Sequence, residues 1–175
     1  MHHLAQVNVA RLRAPLEAPA MRGFAAAVAP IDRLAATSPG FVWRLGSGDG
    51  HGVTVQPDAG GPVFLNLSVW QGYDALHAFT YRTAHAGVLK RRSSWFAPTP
   101  QPSTALWWLP AGERPSVEEA LRRLRYLREH GPSPQAFSLR RRFTADGAPV
   151  QRSRRVTTRR STSTSAALYT SPPRT

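Results

Sequence analysis

Apolar and polar positions alternate from His3 to Arg11, with Ala5, Val7 and Val9 pointing one way and Leu4, Gln6 and Asn8 the other. That period of two predicts a strand. The same alternation returns over Val63 to Trp70 and Thr104 to Leu109, and more briefly over Phe41 to Leu45. Between the first two strands, Met21, Phe24, Val28, Ile31 and Ala35 recur at helical spacing. Pro30 is expected to kink or divide that helix, because it lacks an N–H and crowds the preceding turn. Thr37-Ser38-Pro39-Gly40 ends it. The glycine-rich stretch 46–62 joins two strands, with Val53-Thr54-Val55 pairing inside it, and residues 73–96 read as helix in two pieces. Ser116 and Glu119 form a capping box ahead of a last helix whose apolar stripe is Val117, Ala120, Leu121, Leu124 and Leu127; Gly131-Pro132 stops it. Pro134 to Leu139 is expected to run extended against an edge.

The element order is β-α-β-β-α-β followed by one further helix. It predicts an α+β, ferredoxin-like antiparallel sheet with helices on one face and an extra C-terminal helix. The first strand and Val63–Trp70 are its central strands. Large apolar side chains fall on both sides of these strands: Val63, Leu65, Leu67 and Val69 on one, Phe64 and Trp70 on the other. A sheet covered on one face normally shows a polar outer face, so a homodimer through the second face is expected.

Charge divides the chain. Residues 1–140 hold fifteen Lys and Arg against nine Asp and Glu, whereas residues 141–175 hold eight against one. Two parts follow: a folded domain over 1–143 and a basic Arg/Ser/Thr-rich tail over 144–175. The tail has too few large apolar residues to offset the entropy of ordering, and disorder is expected there. Arginines alone allow weak nucleic-acid association through counterion release, but the interleaved aromatics that stack on bases are missing. The absence of cysteine excludes disulfides, thiolate chemistry and Cys-based zinc sites. Neither a leader-like start nor an apolar run of about 18 residues occurs, which predicts a cytoplasmic protein with no membrane partner.

Several stretches together resemble an uncharacterised bacterial family of unknown function in the dimeric α/β-barrel superfamily, related to antibiotic-biosynthesis monooxygenases. They are LAQVNVARL, SPGFVWRL, LNLSVWQGYDAL, HAFTYRTAH, RRSSWF, LWWLPAGERPSVEEAL and HGPSPQAF, and they span roughly residues 3–143. The resemblance implies the dimeric α/β-barrel form of the fold. It also implies monooxygenase-like chemistry without a dedicated cofactor, on an aromatic or apolar organic substrate. The superfamily's haem-degrading branch carries a tryptophan where this chain has Phe79, which argues against haem cleavage without excluding haem.

Candidate chemistry centres on the polar set Gln6, Asn8, Asn66 and Ser68 and on His85. Asn8 and Asn66 would project from adjacent central strands toward the side of Trp70, where amides can orient a ligand carbonyl or hydroxyl; the plainer reading is that they satisfy one another. His85 shares a helical face with Val88, Leu89 and Arg92. It is a candidate general base or ligand, or else a core histidine with one hydrogen bond. Asn8, Asn66 and His85 are thus the catalytic candidates. Trp70, Tyr81, Arg92, Trp95 and Arg44 are the ligand-binding candidates, the arginines favouring an anionic group and the tryptophans a flat one. The glycine-rich loop 46–52 does not open a helix and so is not a phosphate-binding fingerprint; it reads as a hairpin insertion or a lid. No cofactor or metal is expected. A non-catalytic binding or sensing module with the same pocket is the alternative function, and nucleic-acid association through the tail is another.

Overall fold

The structure, a computed structural model, describes residues 1–46, 53–55 and 63–151. The lid reading of the 46–52 loop, and the tail beyond residue 151 with its expected disorder and nucleic-acid contacts, lie outside the described residues.

The strands are β1 (His2–Arg11), β2 (Phe41–Arg44), β3 (Val53–Val55), β4 (Val63–Trp70) and β5 (Thr104–Pro110). The helices are α1 (Arg22–Ala36), α2 (Tyr73–Arg82), α3 (His85–Lys90), α4 (Arg92–Trp95) and α5 (Val117–His130). The sheet order is β2-β4-β1-β5, all neighbours antiparallel, with β3 pairing the N-terminal half of β4 beyond β2. This is the ferredoxin-like α+β arrangement with β1 and β4 at its centre. The free edge of β5 is met at one point by the segment after α5, where Leu106 and Phe137 exchange backbone hydrogen bonds of 2.8 Å in both directions. That interrupts an otherwise unpaired edge.

One face of the sheet carries Leu4, Trp70 and Leu106, which pack with Ala35 of α1 and with Leu76 and Phe79 of α2. The other face carries Ala5, Val7, Val9, Leu65, Leu67, Val69 and Trp107. It is not bare: Ala120, Leu124 and Leu127 of α5 lie in the same cluster, and all these side chains are buried within the single chain. Within the single chain this face is therefore covered by the amphipathic α5, which packs its apolar stripe on the sheet. Ser116 caps α5 by accepting from Glu119 N at 3.1 Å, while the Glu119 carboxylate pairs with Arg123 at 3.1 Å.

Pro30 does not divide α1, which is continuous from Arg22 to Ala36. The proline is exposed, and so is Ala26, whose carbonyl its missing N–H would have served; water can satisfy that group while Phe24, Val28 and Ala35 hold the other side on the core. The helical stretch after β4 is in three pieces rather than two. Thr83 takes an extended conformation between α2 and α3, and Arg91 breaks α3 from α4. Thr80 and Thr83 donate back to the carbonyls of Leu76 and Phe79 at 2.7 and 2.6 Å, a bonding habit that competes with the helical ladder.

The folded chain continues past residue 143. Trp108 Nε1 donates to the Phe143 carbonyl at 2.7 Å, Arg142 stacks 3.8 Å from the Tyr73 ring centroid, and Val150 N bonds Arg142 O at 2.9 Å. Among the described residues no helix is long and apolar enough to cross a membrane.

Candidate functional site

Antiparallel register decides which polar side chains meet. Leu4 faces Trp70, Gln6 faces Ser68, and Asn8 faces Asn66 across β1 and β4. With a period of two, all of these project to the side covered by α1 and α2. A cavity of about 390 Å³ lies between this floor and the helices. Asn8, Asn66, Trp70, Tyr81, His85, Arg92 and Arg44 all line it.

Trp95 does not. It is buried in a separate cluster with Met21, Phe24 and Val28, its ring 5.7 Å from Phe24 and capped by the Arg91 guanidinium at 4.9 Å. Trp95 thus packs into a core cluster after the break at Arg91 rather than into the cavity lining.

Trp70 is only 1% exposed. Phe79 stacks on it at 5.0 Å and Phe41 meets it edge-on at 5.4 Å. Its ring is a closed wall of the cavity, not an open platform. Its Nε1 donates to Ser68 Oγ, and Ser68 Oγ donates to Gln6 Oε1, each at 3.0 Å. Asn8 Nδ2 donates to Thr104 Oγ1 at 2.7 Å and reaches the Ser103 carbonyl at 3.4 Å. The Asn66 side chain, half-buried on the same floor, makes no hydrogen bond to any described residue.

His85 opens α3 directly after the Thr83 break, where its backbone N–H donates to Thr83 Oγ1 at 3.2 Å. Its Nδ1 lies 3.2 Å from the Thr80 carbonyl. A carbonyl only accepts, so Nδ1 carries the proton, and the neutral ring keeps its lone pair on Nε2. Burial holds the imidazole below its ordinary value of 6.5, partly opposed by the bond to Thr80. The ring is thus kept neutral with an acceptor nitrogen available, which is what a general base requires.

Arg44 is held by Asp32, Nη1 to Oδ2 at 2.8 Å. The contact is an ion pair rather than a well-directed hydrogen bond. Burial raises the Asp32 carboxyl above its ordinary 3.8, and the Arg44 charge partly offsets this. Arg92 and Tyr81 stand at the exposed rim, Tyr81 at 48% exposure. Asp32 lines the cavity but was not among the candidates, and Gln6, named in the polar set, lines it without having been assigned a catalytic or binding role. Asp32 was legible as an acid set on the stripe of Val28 and Ala35, and Gln6 as a polar residue two positions from Asn8. Among the described residues no group of three His, Cys, Asp or Glu side chains comes together to hold a metal ion.

The model of a domain of unknown function, DUF3291, matches residues 3–153. The chain belongs to that family. No curated protein matches the sequence. Among solved structures the chain is similar to SnoaB, a cofactor-independent oxygenase from Streptomyces nogalater. Identity is 16%, coverage is 67% of this chain and 98% of that one, and the TM-score is 0.42.

Proposed function

We propose that this DUF3291 protein binds a small, largely apolar organic molecule in the cavity between sheet and helices, and that His85 accepts a proton from it there. One observation carries the reading: an Asn66 amide without a protein partner among the described residues lines the same cavity as a histidine held neutral by burial. Aromatic walls from Phe41, Phe79 and Trp70 suit a flat ring, and polar groups from Gln6, Asn8, Asn66 and His85 line the same cavity and can fix its orientation. Monooxygenase-like chemistry needs no resident cofactor on these terms. An acidic methylene loses a proton to His85, its carbon is oxidised by molecular oxygen to a carbonyl, and the second oxygen atom leaves as water. Asn8 and Asn66 would orient such a substrate. A non-catalytic binding module is the second reading, favoured by the scarcity of free carboxylates at the site, since Asp32 is tied to Arg44.

The test is a panel of mono- and bicyclic phenols and ketones, followed by binding to the full chain and by product formation under air. Binding by wild type, with turnover lost in His85→Ala and much binding kept, supports the enzyme. Binding without turnover by any variant supports the module. If no compound binds, the cavity is not a ligand site.

A further inference from the structure

An indole N–H can only donate, so the direction of hydrogen bonding on the cavity floor is set at Trp70. Its Nε1 gives its proton to Ser68 Oγ at 3.0 Å. Ser68 is 6% exposed, and a buried hydroxyl needs an acceptor for its single proton. Among the described residues the acceptor it reaches is Gln6 Oε1, at 3.0 Å. Turning the Gln6 amide around would leave the Ser68 proton unpaired in the core. The carbonyl end of Gln6 is therefore committed, and its amide nitrogen remains, making no hydrogen bond to any described residue while Gln6 lines the cavity. Asn8 is wired the opposite way: its nitrogen is committed to Thr104 and Ser103, leaving its oxygen. Asn66 stands across from Asn8 and diagonal to Gln6 in the register, within reach of a shared ligand atom.

We propose that Gln6, oriented by the Trp70–Ser68 relay, sets the specificity of this cavity: its N–H groups, with those of Asn66, hold a ligand oxygen that carries negative charge. This rests on the ligand-binding reading above and narrows it to ionisable enols and phenols, whose proton goes to His85 Nε2. Arg92 at the rim reinforces the preference; it has no ion-pair partner among the described residues, whereas Arg91 is engaged by Trp95. Ser68 and Trp70 act through Gln6 and are positioning residues.

The probes are 7-hydroxycoumarin, whose phenol and phenolate have separate excitation bands, and 7-methoxycoumarin, which has the same rings but cannot ionise. Wild-type protein is expected to prefer the hydroxy probe by about tenfold, as a charge-assisted hydrogen bond provides, and to raise its phenolate band at a pH where the free probe is still protonated. Gln6→Glu keeps the shape and still accepts from Ser68 but presents no N–H, so the affinity ratio should collapse toward one and the phenolate band should vanish. Ser68→Ala, which frees the amide to turn, should lower the same ratio partway. A merely structural role would weaken both probes equally and leave the ratio alone. A wild-type ratio near one, or a ratio unchanged in Gln6→Glu, overturns the inference while leaving the binding site standing. Failure of wild type to bind either probe removes the binding site itself.

Discussion

Replacing Leu124 by alanine tests whether α5 covers the second face of the sheet. Leu124 is 2% exposed and packs with Ala120 and Leu127 against the cluster that includes Val7, Leu67 and Trp107. The change removes roughly three buried carbon groups, about 0.8 kcal/mol each in transfer free energy. The unfilled space adds to that, because neighbours held by a hydrogen-bonded sheet relax only partly, so a loss of about 3 kcal/mol is expected. Arg125, one position along on the exposed side of α5, is the control; Arg125→Ala should change stability by no more than about 0.5 kcal/mol. Urea unfolding followed by tryptophan fluorescence measures both. Because the contact is made within one chain, the loss should not vary with protein concentration, whereas a face closed by a second copy would make it do so. A loss below about 1 kcal/mol for Leu124→Ala would mean that the helix does not seal the sheet.

Two further outcomes follow from local geometry. Gly40 has φ of 77° and an added Cβ would lie 2.5 Å from Ala75 Cβ, whereas Gly112 has φ of 93° with nothing within 4 Å. Both alanine variants bear the left-handed penalty of about 1–2 kcal/mol, but Gly40→Ala should cost at least about 1 kcal/mol more by forcing α2 off the β2 entry; equal losses in thermal or urea unfolding would refute this. For His85, the folded-state value lies below 6.5, so the unfolded chain takes up a proton before the folded one does. Above 6.5 the residue contributes no pH dependence; as pH falls below it, stability should drop and then level off beneath the folded-state value. The difference between wild type and His85→Phe, measured by urea unfolding across that window, isolates the effect, and a flat difference would count against a buried neutral ring.

Much of the fold was legible because it is written in local period. The alternation in β1, β4 and β5 and the Ser116 cap of α5 depend on side-chain direction and backbone bonding, which neighbouring residues fix without help from the rest of the chain. Even the pairing of Asn8 with Asn66 followed, since two central antiparallel strands of known polarity allow few registers. Chain breaks were harder. The extended Thr83 and the turn at Arg91 place His85 at a helix start and send Trp95 into another cluster, and a smooth helical wheel through residues 73–96 cannot show that.

The sequence alone determined that both sides of the sheet must be buried, because β4 carries large apolar side chains on both of its faces, Leu65, Leu67 and Val69 on one and Phe64 and Trp70 on the other. It placed helices on one side but could not say what would bury the other. Only the tertiary structure put α5 there, since a helix stripe declares that it is apolar but not which surface it meets. Likewise the amides and the histidine were visible as residues, whereas the direction of the Trp70–Ser68–Gln6 relay and the Thr80 bond that fixes the imidazole arise from contacts between segments distant in the chain.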